Sequence, residues 1–353
     1  MTGSIEIDLV SDTATKPSPG MLAAMLAAEV GDEQRDEDPS VLALNARVAD
    51  LLGLEAALFL PSGTMCNQIA FLVHCRLGDE IIAAESAHVF GSEGAGASAL
   101  AGAQFRLIDT EDGIFSAAQA AAAIRAPRHR SPRSRVIAVE QTANRGGGSV
   151  WPTQTLGEIA AVAHANGLAA HMDGARLPNA AVASGTAMAA HVRGFDSAWI
   201  DLSKGLGCPV GGVLAGSRGF IEEAWSWKHR LGGAMRQAGF LAAAGLYALD
   251  HNVARLAQDH DNARAFGALV ANSPGVSVFP REIATNIVFL DVSGSSLDAH
   301  EIAARLRTHG IRLGVESATR MRAVTHLDVS AEQAVRAGTL LARILEEAGP
   351  RQA

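Results

Sequence analysis

Cysteine is scarce in this chain of 353 residues, with Cys66, Cys75 and Cys208 its only three. They have neither the number nor the clustering of a disulfide framework or a zinc site, so each is read as structural. No run approaches the ~18 consecutive apolar residues of a membrane span, and the start, MTGSIEIDLVSDT, lacks a basic segment leading into an apolar one. A soluble, cytoplasmic protein with no membrane partner is expected. Positive charge is in deficit, 29 Lys+Arg against 37 Asp+Glu for a formal net charge of −8. Without a Lys/Arg block the electrostatic footprint of a nucleic-acid binder is missing, and no nucleic-acid partner is expected. Neither G-x-G-x-x-G after the first strand nor G-x-x-x-x-G-K-S/T occurs, which counts against nicotinamide cofactors and ATP. Internal repeats and low-complexity linkers are also missing.

What is there is apolar. Hydrophobic residues make up 48% and charged residues 19%, enough for a sizeable core and too apolar for a disordered chain. From Ala57 onward the short runs ALFLP, EIIAA, FRLID, RVIAVE, LAAHMD and SAWIDL alternate with stretches of helical spacing, clearest at 63–76, 117–125 and 154–166. That is the pattern of buried strands in a mainly parallel sheet. Before them come an extended segment, a helix from Pro19 to Glu29, the acidic loop GDEQRDEDPS and a helix over about 40–52. Residues 219–271 are largely helical in pattern; residues 276–348 read as a strand pair, a helix, two short strands and a last helix. The expected organisation is α/β, with an N-terminal segment at 1–20, a large domain at 21–271 and a small C-terminal α+β domain at 272–353.

Three local features fit the rule that ligands bind outside the carboxyl ends of parallel strands. In PSGTMCNQIA (61–70) a strand ends, Gly63 and Thr64 make a tight turn, and a helix begins. Glycine, a hydroxyl and free amides suit a phosphate there, although Ser and Thr are also ordinary caps. In LAAHMDGAR (168–176) an apolar run delivers His171, Asp173 and Arg176 at its end. Such an aspartate either holds a protonated ring nitrogen through a charge-assisted hydrogen bond or caps the following turn. In WIDLSKGLGCPVGG (199–212) Lys204 follows an apolar strand among small residues. It is either a surface lysine or an amine that forms an imine with an aldehyde cofactor, and Ser203 beside it offers a hydroxyl to a phosphate. Together these supply a phosphate cradle, a partner for a pyridine nitrogen and an imine-forming amine, in the order expected for pyridoxal phosphate.

The segments DLVSDTATKPSPGM (8–21), GDEQRDEDPS (31–40), FLPSGTMCNQ (59–68), AAESAHVF (83–90), HMDGARLPNA (171–180), LSKGLGCPVG (202–211), GGAMRQAG (232–239), HNVARL (251–256) and VTHLDVS (324–330) span nearly the whole chain. In them the sequence resembles the threonine aldolase family of fold-type I pyridoxal-phosphate enzymes, within the β-eliminating lyase group. The resemblance implies a large domain with a mainly parallel seven-stranded sheet, a pyridoxal 5′-phosphate cofactor, an amino-acid substrate, and a homodimer or homotetramer with shared active sites. It implies that Lys204 carries the cofactor as an imine, that Asp173 binds the pyridine nitrogen and that His88 lies over the ring. Gly63, Thr64 and Ser203 would contact the phosphate, with Arg236 approaching from a neighbouring subunit. Arg176 and Arg322, with Ser11 near them, match positions that bind the substrate carboxylate, a task suited to the guanidinium fork. The implied reaction is retro-aldol cleavage of an L-β-hydroxy-α-amino acid to glycine and an aldehyde. A related β-eliminating lyase and a racemase are the alternatives. The chemistry requires no metal, and His74, His164, His229, His251, His260 and His326 form no close-spaced ligand motif.

Two places depart from the family pattern. EQTANRGGGS (140–149) stands where a Glu-Asn-Thr-His-Asn-Gly run is usual, with Ala143 at the histidine position and extra residues after it. Its loss is expected to alter base placement or to leave room for a ring such as that of phenylserine. In GDEQRDEDP, Arg35 replaces the usual tyrosine and Asp36 a glycine. Arg35 is expected to pair with Asp36 or Glu37, the alternative being an anionic, hydroxyaspartate-like side group.

Overall fold

The computed structural model describes residues 4–351 as two compact units, one of residues 17–253 and one joining the segment up to Lys16 with the chain from Ala254. None of the described helices is long and apolar enough to cross a membrane.

The larger unit is built on seven strands: β2 (Ala56–Leu60), β3 (Asp79–Ala84), β4 (Gln104–Ile108), β5 (Arg133–Glu140), β6 (Ala169–Asp173), β7 (Ser197–Asp201) and β8 (Gly212–Gly216). Their spatial order is β2-β8-β7-β6-β5-β3-β4. All neighbours run parallel except β8, which is antiparallel to β2 and β7. Every residue of β3, β6, β7 and β8 is buried, as expected where helices cover both faces of a sheet. The expected mainly parallel seven-stranded sheet is therefore present. Because β8 returns directly beside β7, the connection at 202–211 is a loop and not a crossover helix, and Lys204 rides on it. Leu60 of β2 and Asp201 of β7 both pair with Gly212, which brings the ends of those two strands to the same level.

Local rules set the helix ends. Ser18 and Asp38 cap the helices Pro19–Leu26 and Pro39–Leu52, each with proline at its first position, and Gly53 closes the second at φ 67°. The first stops short of the expected Glu29.

In the smaller unit β1 (Ile7–Leu9), β9 (Ser277–Phe279), β10 (Ile287–Asp291), β11 (Ile311–Val315) and β12 (Arg320–Val324) form a second sheet in the order β1-β11-β12-β10-β9. Its core includes Leu9, Phe266, Val270, Leu290, Leu313 and Leu341. The helix Leu256–Val270 thus packs here, and the units divide at Val253, ahead of the boundary expected at 271. Apolar spacing marks the buried face of a helix but not the sheet that will cover it.

Candidate active site

Three adjacent parallel strands end in a carboxylate: β5 in Glu140, β6 in Asp173 and β7 in Asp201, all buried. Each captures donors of the turn that follows or faces it. Asp173 Oδ1 accepts from the Ala175 amide at 3.0 Å, and Asp201 Oδ1 accepts from the Ser203 amide at 2.7 Å and its hydroxyl at 2.8 Å. Glu140 accepts from the amides of His88 and Asn144, both at 2.7 Å. Asp173 is therefore a turn cap, and its second oxygen remains for another task.

Asp201 organises the lysine. Lys204 Nζ lies 2.7 Å from Asp201 Oδ2 and 5.7 Å from the centre of the Trp199 ring, with its side chain mostly covered. Gly63 opens the helix Gly63–His74 against the same pair. A Cβ on Gly63 would run into the Trp199 ring and stand 3.1 Å from Asp201 Oδ2. Ser62 caps the helix through the Met65 amide at 3.2 Å, while the amides of Gly63 and Thr64 belong to the first turn, where donors have no intrahelical acceptor. Gly63, Thr64, Ser203 and Lys204 thus lie where the carboxyl ends of β2 and β7 flank the start of β8.

Asp173 belongs to a second cluster. Its Oδ2 accepts from Asn67 Nδ2 at 2.8 Å, and the same nitrogen donates to Glu93 Oε1 at 2.8 Å. Glu93 Oε1 also receives His88 Nδ1 at 2.9 Å. One ligand-type atom each from His88, Glu93 and Asp173 lie within 4.8 Å of one another. The bond to Glu93 raises the His88 imidazole above its ordinary value, so that it favours the charged form, and burial raises the Glu93 carboxyl. Burial, and then the neighbouring Asp173 carboxylate, push Glu140 up to about 7.

Arg176, 4% exposed, follows β6 at the start of the helix Leu177–Ser184; its amide donates to the Gln141 carbonyl at 3.1 Å and its Nη1 to Asn144 Oδ1 at 3.4 Å. Ala143 is buried, with its Cβ only 2.7 Å from where a Gly113 Cβ would stand and 3.1 Å from that of Gly146. The wall it faces is backbone of its own chain, which does not favour the expected room for a substrate ring at this atom. Arg35 pairs with Asp32 at 3.7 Å, in place of the expected Asp36 or Glu37. Asp36 itself adopts φ 57°, a left-handed conformation that favours glycine and that aspartate tolerates better than most residues. Arg236 Nη1 also lies on Asp32, at 2.9 Å. In the smaller unit, Ser11 Oγ accepts from the Thr13 amide at 3.2 Å, and Arg322 Nη2 donates to the Val10 carbonyl at 3.3 Å.

Residue reasoning passed over Asn67, Glu93, Glu140 and Asp201. The signal for Glu140 and Asp201 was available, since RVIAVE and SAWIDL end in an acid as LAAHMD does. Asn67 sits one helical turn after Gly63, on the face that a helix start presents inward. Glu93 lies in a loop and carries no sequence signal.

The geometry suits pyridoxal phosphate. A cradle that a Cβ would fill, a buried carboxylate fixed by donors on one side, an amine held at the carboxyl end of β7 and an imidazole fixed by a carboxylate are the groups such a ring needs. The β-eliminating lyase family matches this chain over residues 8–294. A low-specificity L-threonine aldolase of Escherichia coli is 42% identical over 328 residues, covering 93% of this chain and 96% of the relative. Low-specificity L-threonine aldolase 1 of Arabidopsis thaliana is 40% identical over 332 residues, 92% of each chain. The solved structure of Leishmania major threonine aldolase superposes with a TM-score of 0.82 at 20% identity, covering 96% of this chain and 99% of that one, a likeness of fold.

Proposed function

The chain belongs to the threonine aldolase family of fold-type I pyridoxal-phosphate enzymes, and we propose that it cleaves L-β-hydroxy-α-amino acids of the threonine and allo-threonine type to glycine and an aldehyde. It is a pyridoxal-phosphate-dependent carbon–carbon lyase. The observation that carries the reading is the joint placement of Lys204 on Asp201 and of His88 on the cluster around Asp173, at the carboxyl ends of adjacent strands.

When bound, pyridoxal phosphate supplies an aldehyde for an imine and a protonated ring that takes up the electron pair released as the Cα–Cβ bond breaks. Lys204 provides the amine, and Asp201 aims it by a 2.7 Å contact while pinning the Ser203 turn. Asp173 would keep the ring nitrogen protonated through a charge-assisted hydrogen bond. His88 would cover the ring face and exclude water, with its ring fixed by Glu93. Gly63, Thr64 and Ser203 would donate to the phosphate, joined by Arg236 of a neighbouring copy in a dimer or tetramer. Arg176 would hold the substrate carboxylate with its planar fork, and the family resemblance assigns Ser11 and Arg322 to the same group.

The test is incubation of purified protein and cofactor with the four stereoisomers each of threonine, phenylserine and hydroxyaspartate. Glycine and the matching aldehyde are expected from L isomers. D173A should stay folded and lose most of this cleavage, and K204A should lose the visible absorption of the imine. Release of ammonia and a 2-oxo acid without glycine from any substrate would overturn the aldolase reading in favour of β-elimination.

A further inference from the structure

Asn67 is fully buried, and the amide has partners at both ends. Trp199 Nε1, which can only donate, lies 2.7 Å from Asn67 Oδ1 and so fixes which end of the amide is oxygen. Asn67 Nδ2 must then spend its two hydrogens on Asp173 Oδ2 and Glu93 Oε1. His171 Nε2 stands 3.1 Å from Asn67 Oδ1, so its proton is on Nε2 and its Nδ1 accepts from the Ser197 hydroxyl at 2.8 Å. His74 Nε2 lies 2.8 Å from that hydroxyl oxygen and must donate to it. The line from His74 to the two carboxylates has only one direction of donation.

Resting on the cofactor reading above, which puts Asp173 at the ring nitrogen and His88 over the ring face, we propose that Asn67 is the positioning residue for both. Its single amide holds the two carboxylates side by side, and through Glu93 it sets the imidazole. Unbridged, two carboxylates this close in a buried site repel one another or take up a proton. Hydrogen bonds to charged groups are among the stronger ones, so removal of the bridge has a measurable effect on cofactor binding.

The variant N67D is isosteric, keeps an oxygen for Trp199 and His171, and turns the bridging donor into an acceptor facing two carboxylates. The second variant, N67S, adds no charge, leaves an oxygen in the pocket, and withdraws the two hydrogens that Asn67 Nδ2 gives to Asp173 Oδ2 and Glu93 Oε1. Pyridoxal phosphate affinity and the pH midpoint of its visible band are measured beside the melting temperature of the cofactor-free protein. N67D is expected to bind the cofactor at least about tenfold more weakly and with a displaced midpoint, and N67S to shift both in the same direction by less, since it removes the bridge without adding a third carboxylate. Unchanged affinity and midpoint in N67D, even with a lowered melting temperature, would reduce Asn67 to a structural residue and overturn the proposal while leaving the cofactor reading intact. If N67D does not fold, N67S decides: weaker cofactor binding with a displaced midpoint supports the bridge, and unchanged affinity and midpoint overturn it. Parent protein that takes up no pyridoxal phosphate would overturn both readings.

Discussion

Gly63 has no side chain because Trp199 occupies the space one would need. The glycine opens a helix against the Lys204–Asp201 pair, so helix position, indole and lysine loop share one volume. G63A is expected to lower stability by about 1–3 kcal/mol through overpacking and to weaken cofactor binding. Trimming the indole in G63A/W199F should return part of the stability, although the Trp199 donor to Asn67 is lost with it. Thermal melts of the two variants check this, and equal losses in both would show that Trp199 is not the obstacle. The turn at Gly63 and the lysine among small residues were legible because each breaks a local expectation. The indole that makes the glycine obligatory is 136 positions away in sequence, and only the shared pairing of β2 and β7 with β8 brings it near.

The line of His74, Ser197 and His171 runs beneath the same strands and sets a pH dependence. Burial pushes His171 down to about 3 and His74 to about 4, against an ordinary value near ~6.5 in the unfolded chain. Below about pH 6.5 the unfolded chain binds protons that the folded chain refuses, so this contribution is complete above that pH and is lost as pH falls toward 4 and 3. Glu140 acts in the opposite sense: raised to about 7, its contribution is complete below the ordinary carboxylate value and is lost as pH rises through about 7. H74F keeps a ring to stack on Phe220, where the imidazole now lies 4.8 Å away, and removes one titrating group. Its melting temperature should therefore fall less steeply than the parent's between about pH 6.5 and 4; parallel curves would refute the assignment. At this scale the apolar strand runs were readable in the sequence, and so was the acid that ends β6. The acids that end β5 and β7 obey the same rule, but the His88 amide that Glu140 captures comes from 52 positions away and leaves no mark in RVIAVE. The helix Leu256–Val270 showed its apolar face but not its partner, which is why it packs with the smaller unit against expectation.

For the whole molecule the acidic total of −8 includes an acidic loop, GDEQRDEDPS, on which exposed arginines are set. Asp32 is one carboxylate between two exposed arginines, Arg236 at 2.9 Å and Arg35 at 3.7 Å. Within its own chain Arg236 rests on that acid, while Gly63, Thr64 and Ser203 gather around Lys204. The proposed sharing of active sites, with Arg236 completing the phosphate contacts of a neighbouring copy, makes a prediction about mixtures. K204A removes the imine-forming amine from its own site, and R236A removes an arginine from its neighbour's. Each variant alone should have little activity. After the two are dissociated together and reassociated, a mixed pair contains one site with neither group and one with both, since the two substitutions fall on the same site when each chain lends its Arg236 to the other. Random pairing of equal amounts therefore restores activity to about a quarter of the sites in a twofold assembly. Turnover in the mixture against each variant alone is the measurement. Activity no greater than the average of the two separate variants would show that each chain completes its own site.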